Sequence, residues 1–496
     1  MTEPQEQPPR DVLAVRREKL QRLRARGIEP FALRFDRDAT VAELRGRFGD
    51  LEAGAETGQV VRVAGRLVGL RRHGKLQFGV LRDGTGDIQL FLTEEHLGPE
   101  AFQGLEDLDL GDWVGAEGEV VTTKRGELSV RPSGLVLLSK SLRPMPEKWH
   151  GLRDVELRHR HRYLDLATNP EVAERVRSRA RMLAAFRAHL EERGFVEVET
   201  PVLQSVPGGG LARPFLTHHQ ALDIPMYLRI APELYLKRLL VGGLERVYEI
   251  GRTFRNEGIS PRYNPEFTML EAYQAYASYE DMMELVESLV KEAARAVVGG
   301  PTFEFRGTRV DLAEPWRTAT LLELVSEAVG REVSLDVPIE ELRSIADERG
   351  VKYDPEWTAG QLAAELFEKL VEPGLVRPTI VKDFPREVSP LARPHRDDPR
   401  LTEHFDLVMG GVEIAPAYSE LTDPDEQRAR FELQQVLKAA GDEEAHPFDE
   451  EFLVALEHGM PPAGGLGLGV DRLLMVLTDA PSLREVILFP ALRPEG

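Results

Sequence analysis

The spacing of apolar positions changes several times along this chain, and each change predicts a different kind of element. Residues 12 to 26 alternate charged and apolar side chains at helical spacing, which predicts an amphipathic helix closed by a turn at Gly27 and Pro30. From Val60 the period shortens to two. VVRVAGRLVGL, LQFGVLRD, DIQLFL, WVGAEGEVVTT and ELSVRPSGLVLLS are β-rich runs separated by the turn signals RHG, DGTG and KRG. Five strands in about 80 residues predict a small antiparallel barrel of the OB-fold kind.

SLRPMPEKWHGLRD, from Ser141 to Asp154, breaks the pattern and reads as a linker. A long helix follows, with Asn169 as N-cap, Pro170 in the first turn, and Val172, Val176, Leu183, Phe186 and Leu190 at helical spacing until Gly194. Beyond it MYLRI, RVYEIGRTF, EFTMLEAY and HFDLVMGGVEI alternate with helices, and residues 320 to 372 form a mostly helical inset. The expected fold class is α+β with an antiparallel sheet flanked by helices. The expected boundaries are a helical extension over 1–55, the barrel over 56–142, a linker over 143–165 and the α+β domain over 166–496.

Composition narrows the function classes. With 496 residues, several cores are expected, and 42% hydrophobic with 30% charged residues is ordinary for a globular protein. The absence of cysteine excludes disulfides, thiolate metal sites and a cysteine nucleophile. No run is long and apolar enough to span a membrane, and the proline-rich acidic N-terminus lacks an apolar leader, so a cytoplasmic protein is expected. A net charge of −21 argues against bulk-charge binding of nucleic acid. The exception is RREKLQRLRAR at residues 16–26, where six basic residues face one acid, as a solvated helix face or an RNA contact.

Three segments carry chemistry. In the first, RVYEIGRTFRNE and NPEFTMLEAY pair across GISPRY. Period two then puts Arg255 and Glu257 on one face and Phe267, Met269, Glu271 and Tyr273 on another. If the faces coincide, the surface suits an anion beside a planar ring; a salt-bridged hairpin is the structural alternative. In AGGLGLGVDRL, glycines at 465, 467 and 469 clear one face of a strand, ahead of Asp471 and Arg472. Neither a dinucleotide-binding glycine pattern nor a phosphate-cradling P-loop is present, so nucleotide binding must use the antiparallel sheet. In HFDLVMGGVEIAPAYSEL, Asp406, Glu413 and Glu420 are carboxylates without histidine or cysteine partners of ligand spacing, suited to Mg²⁺ held with phosphates.

Taken in order, GFVEVETPVL, FRNEG with NPEFTMLEAY, and GLGLGVDRL resemble the three signature motifs of class II aminoacyl-tRNA synthetases, near residues 190–203, 247–273 and 464–475. PGGGLARPF, APELYLKRLLVGG, FRNEGIS, EVSPLAR and ALEHGMPP narrow this to the bacterial class II lysyl-tRNA synthetase family, over nearly the whole chain. The resemblance implies a homodimer joined through the first motif, with Pro201 near the two-fold, and the substrates ATP, L-lysine and tRNA(Lys). It implies that Arg255 and Arg472 are catalytic, Arg255 holding the lysine carboxylate with the α-phosphate and Arg472 the far phosphates. Glu257, Asn264, Phe267 and Glu413 would join them around ATP, with Phe267 stacked on adenine. Gly209 and Glu233 would hold the α-amino group, and Glu420 and Tyr273 the ε-ammonium, with Glu271 and Tyr418 beside it. Asp406 and Glu413 would bind Mg²⁺, and Arg66, Phe78, Gln89 and Glu127 would read the anticodon.

Two positions depart from the family pattern. Tyr263 stands where histidine is usual, and Pro416 where an asparagine can contribute to the pocket. The competing readings are an aspartyl- or asparaginyl-type enzyme and a synthetase-like RNA-binding or protein-lysylating paralogue. The carboxylates around Glu420 speak against the first, and the intact barrel and motif residues against the second.

Overall fold

The computed structural model describes residues 10–146, 152–439 and 445–494 and divides into two compact units, residues 1–154 and 155–496. Residues 1–9 and the centre of the linker, including Trp149, lie outside the described residues.

In the first unit, strands Glu56–His73, Leu76–Arg82, Asp87–Thr93, Trp113–Thr122 and Leu128–Ser139 close into a barrel. The closure requires one parallel pairing, Gln89 with Ser129, which strict antiparallel reading does not anticipate. Alternation sorts the side chains as expected: Leu81, Ile88, Leu90 and Leu92 fill the interior, so Phe78, Val80, Gln89 and Phe91 stand outside.

The basic helix Arg10–Ala25 does not present all its charge to solvent. Buried Arg16 donates to the carbonyls of Leu110, Ser141 and Arg143, Lys19 pairs with Asp109, and Arg22 and Arg26, just past the helix end, both reach Asp107. Only Arg17 and Arg24 of the six are exposed with no such tie among the described residues. Most of the basic run therefore docks the helix.

The second unit is organised by an eight-stranded sheet ordered Arg317–Thr320, Thr379–Pro385, Leu401–Met409, Val412–Ser419, Ala463–Gly469, Glu266–Ala275, Arg246–Phe254, Val196–Glu197. Its centre is antiparallel and its two edge pairs are parallel. One face is covered by helices Pro170–Glu192 and Tyr279–Val298, whose Met182, Phe186, Met282 and Leu289 pack with Leu270, Ala272, Ala417 and Leu468 in one apolar core. Pro170 opens the first helix as expected, but Asn169 does not cap it; its amide donates to Asp165. The inset forms helices Leu321–Val329, Ile339–Arg349 and Ala359–Leu366 around its own core against Val381 and Phe384.

Arg162 and Asp165 are both fully buried and paired at 2.5 Å, with Arg162 also donating to the carbonyls of Arg484 and Leu488. This pair ties the start of the second unit to its C-terminal segment. Removing one partner of a buried pair strands the other charge, so Asp165→Ala is expected to destabilise this unit by about 3–5 kcal/mol. Chemical denaturation measures the loss, and adding Arg162→Met is expected to recover only part of it, because the carbonyls of Arg484 and Leu488 would lose their donor.

Candidate active site

Strand Glu266–Ala275 is paired on both sides, and its uncovered face carries the chemistry. Met269, Glu271 and Tyr273 lie opposite Gly469, Gly467 and Gly465. The glycines are needed there. A Cβ on Gly465 would collide with the Glu420 carboxylate and the Tyr273 ring, and one on Gly467 would come 2.9 Å from Met269. The stripped strand makes a floor on which the charged side chains converge.

Arg255 reaches this floor by a different route from the one alternation suggests. The first strand ends at Phe254, and Arg255 to Glu257 follow in irregular backbone. The Arg255 guanidinium nevertheless lies over the Phe267 ring, 5.2 Å from its centroid, and its Nε is buried without a hydrogen-bond partner among the described residues. Glu257 is half-buried in the same loop, outside the shared face that strand alternation predicts for it. Asn264 is buried, donating to the Glu266 carbonyl and accepting from Ala491 N–H, so its amide braces the loop.

A bulge decides which acids reach the site. Leu407 pairs with Ala415 but Val408 pairs with Glu413, leaving Ile414 unmatched. Ile414 and Ala415 both enter the core, and Glu413 turns to the face of Pro416 and Tyr418. Asp406, opposite Pro416, shares that face. Arg472 donates to the Glu413 carbonyl at 2.9 Å and to its carboxylate at 3.3 Å, and sits 6.0 Å from the Tyr263 ring. Pro416 occupies the last position before pairing with Ala463–Gly469 begins at Ala417, so the sheet tolerates its missing donor. Two carboxylates on one face, with no third metal-type ligand assembled among the described residues, suit an oxygen-seeking cation that shares phosphate oxygens.

The other end of the floor is a buried charge cluster. Glu233, Glu271 and Glu420 are each at most 7% exposed. Tyr273 donates to Glu271 at 3.2 Å. Burial, then the nearby Glu233, holds Glu271 well above the usual carboxylate range. Burial also pushes Glu420 up to about 7 against the pull of Lys237. Tyr273 is raised by burial and then by Glu233, Glu271 and Glu420, and Tyr418 by burial and then by Asp406 and Glu233. Glu420 Oε1 has no hydrogen-bond partner among the described residues. At Gly209, in the left-handed region, the N–H donates to His446 Nε2 at 2.9 Å, leaving only the carbonyl for a ligand.

Several residues here escaped sequence reasoning. Lys237, fully buried, bridges Glu233 at 2.6 Å and Glu420; its four-residue spacing from Glu233 on helix Glu233–Val241 was a visible signal. His446, stacked on Phe431, fixes Gly209 from a distant segment. His404 lies between Ser389 and Asp406, at 2.8 and 2.9 Å, and stacks between Phe384 and Tyr418. Glu372, from the end of the inset, is pushed up to about 7 by burial and then by Glu413 and Asp406.

On the barrel, Phe78 and Phe91 adjoin on the outer face, 5.5 Å between centroids, with Arg71 exposed in register beside Phe78. Gln89 donates to Ser129, and Glu127 is exposed just before strand Leu128–Ser139. Arg66 stacks on Trp113 and donates to the Gly111 carbonyl, so it is held against the barrel.

Comparison with known families agrees with this geometry. The family model described as tRNA synthetases class II (D, K and N) matches residues 154–493, and one described as an OB-fold nucleic acid binding domain matches residues 61–138. The chain is similar to the lysine–tRNA ligase of Moorella thermoacetica, 51% identical over 98% of both chains. It is 53% identical to that of Synechococcus sp. strain CC9311, covering 97% of this chain and 99% of the relative. It is 51% identical to that of Syntrophomonas wolfei, over 97% of each. Fold, motif geometry and full-length similarity together place the chain in the class II aminoacyl-tRNA synthetases, as a member of the lysine–tRNA ligase family.

Proposed function

We propose that the chain activates L-lysine with ATP to lysyl-adenylate and transfers the lysyl group to the 3′ end of tRNA(Lys). The observation that carries this reading is a pair of orphaned groups: Glu420 Oε1, an acceptor without a donor, and Arg255 Nε, a donor without an acceptor. L-Lysine brings an ammonium to the first and a carboxylate to the second. The cluster of Glu233, Glu271 and Glu420 holds three carboxylates against the single ammonium of Lys237, a deficit of positive charge that suits a dibasic ligand. An acidic side chain would worsen it, which favours lysine among the amino acids of the D, K and N family.

In the first step a lysine carboxylate oxygen attacks the α-phosphorus, forming an acyl phosphate bond while the bond to pyrophosphate breaks. No general base is required, because the nucleophile is already ionised. Arg255 positions carboxylate and α-phosphate together, Phe267 offers a face to adenine, with Glu257 and Asn264 alongside, and Arg472 meets the far phosphates. Asp406 and Glu413 would hold Mg²⁺, which when bound offsets phosphate charge. In the second step the terminal ribose hydroxyl of tRNA attacks the lysyl carbonyl and AMP leaves. Phe78, Gln89 and Glu127, with Arg66 behind them, would read unpaired anticodon bases by stacking and hydrogen bonding. Val196, Val202, Leu203, Leu216 and Leu222, exposed around the first motif, support a homodimer there. No helix among the described residues is long and apolar enough to cross a membrane, and we assign the enzyme to the cytoplasm.

Lysine-dependent exchange of pyrophosphate into ATP tests the reading, with lysine active and aspartate and asparagine inactive. Glu420→Gln is expected to raise KM for lysine at least about a hundredfold, since a buried ammonium would lose its charged partner. In the wild type, lysine affinity should be flat above about pH 7 and fall about tenfold per unit below it, because the ionised form of Glu420 is the binding form. Glu420→Gln should lose that slope.

Phe78→Ala is expected to weaken tRNA binding by about 1–3 kcal/mol, the worth of one stacked base, while leaving tRNA-free pyrophosphate exchange unchanged. Aminoacylation assayed against tRNA concentration reads the difference.

A further inference from the structure

Lys237 is the most deeply placed charge in the site. Its ammonium is fully buried, 2.6 Å from Glu233 and ion-paired with Glu420. Nothing in the helix requires this. An i,i+4 glutamate–lysine pair is usually a surface device worth a few tenths of a kcal/mol, and a buried ammonium is costly unless it is paired. Lys237 also joins the two carboxylates that the reading above gives to the two ammonium groups of the substrate. One internal cation is thus shared by both recognition groups before any ligand arrives.

We infer that Lys237 is a positioning residue: a built-in counter-ion that keeps Glu420 ionised and fixes its distance from Glu233, so that the pocket presents charged acceptors for a dibasic amino acid near neutral pH. The inference rests on the proposed lysine activation. Among the described residues, the groups packed around the cluster leave no other cation to do this. Glu271 and Tyr273 face it from strand Glu266–Ala275, and Tyr418 from strand Val412–Ser419. His446 borders it, but burial holds its ring down at about 4, so it is neutral in this range. Arg229 is committed to Glu249. Burial works against the Lys237 charge, yet Glu233 and Glu420 raise its affinity for its proton above that of an ordinary lysine. Glu420 is raised as well, by its own burial and then by Glu233, against the pull of Lys237.

The test uses the full-length protein, lysine-dependent pyrophosphate exchange and the variants Lys237→Gln, which keeps a donor between the carboxylates but removes the charge, and Lys237→Arg, which keeps the charge. For Lys237→Gln, KM for lysine at about pH 7 is expected to rise about tenfold or more, with KM for ATP little changed. The deficit should shrink toward about pH 9, as the carboxylates ionise without help, and Lys237→Arg should keep the wild-type pH profile. A Lys237→Gln deficit equal at every pH, or a loss confined to kcat, overturns the inference and leaves Lys237 a packing residue.

Should Lys237→Gln not fold, calorimetry on the wild type decides. L-Lysine binding at about pH 8 without net proton release supports carboxylates already ionised, and release of about one proton per site overturns it. The wild-type exchange assay separates this from the reading it rests on. If the wild type exchanges with no amino acid, lysine activation itself fails; if it exchanges with lysine and the variants keep its profile, only the role of Lys237 fails.

Discussion

Everything in the second unit hangs on the register of one strand, Glu266–Ala275, hydrogen-bonded along both edges. Because side chains alternate, a slip of one residue would send Glu271 and Tyr273 into the apolar core and Leu270 and Ala272 into the charged cleft. The core residues penalise that slip heavily, and the site draws its precision from the penalty. Burial on one face is what allows three carboxylates to be held at fixed separation on the other.

Holding them there has a cost that the surroundings offset in stages. Arg229 neutralises Glu249, which also accepts from Thr200 in the first motif, so the entry segment is locked to the same strand pair. Lys237 answers part of the remaining charge, and the part left over is an uncompensated carboxylate at Glu420. The other end of the cleft is arranged oppositely, with half-buried Arg255 and Arg472 beside Phe267, Tyr263 and Glu413.

Much of this could be read from the chain itself. Period-two runs foretold the barrel but left Phe78 and Gln89 equally fit for its core or its outer face, and the Gly465, Gly467, Gly469 spacing foretold a cleared strand. What escaped was of two kinds. Arg255 lies past the end of its strand, where alternation no longer applies, and only the ring of Phe267 shows where it goes. Lys237, His446 and Glu372 come from segments far apart in sequence; the four-residue spacing of Glu233 and Lys237 signals a pair, but not whether that pair is solvated or enclosed. The basic run at 16–26 was misleading for a related reason: its partners Asp107 and Asp109 lie about 90 residues away, beyond any local pattern.

The unmatched Ile414 has a consequence for how this hairpin can change. Substituting a side chain alters one contact, but adding a residue between Glu413 and Ala415 would reverse which flank of the ribbon Glu413 occupies, turning its carboxylate among Leu407, Leu468 and Val470. Removing the unmatched Ile414 would instead leave Glu413 opposite Val408 and restore plain alternation. This ribbon can therefore shorten by its one extra residue without moving the carboxylate, but it cannot lengthen.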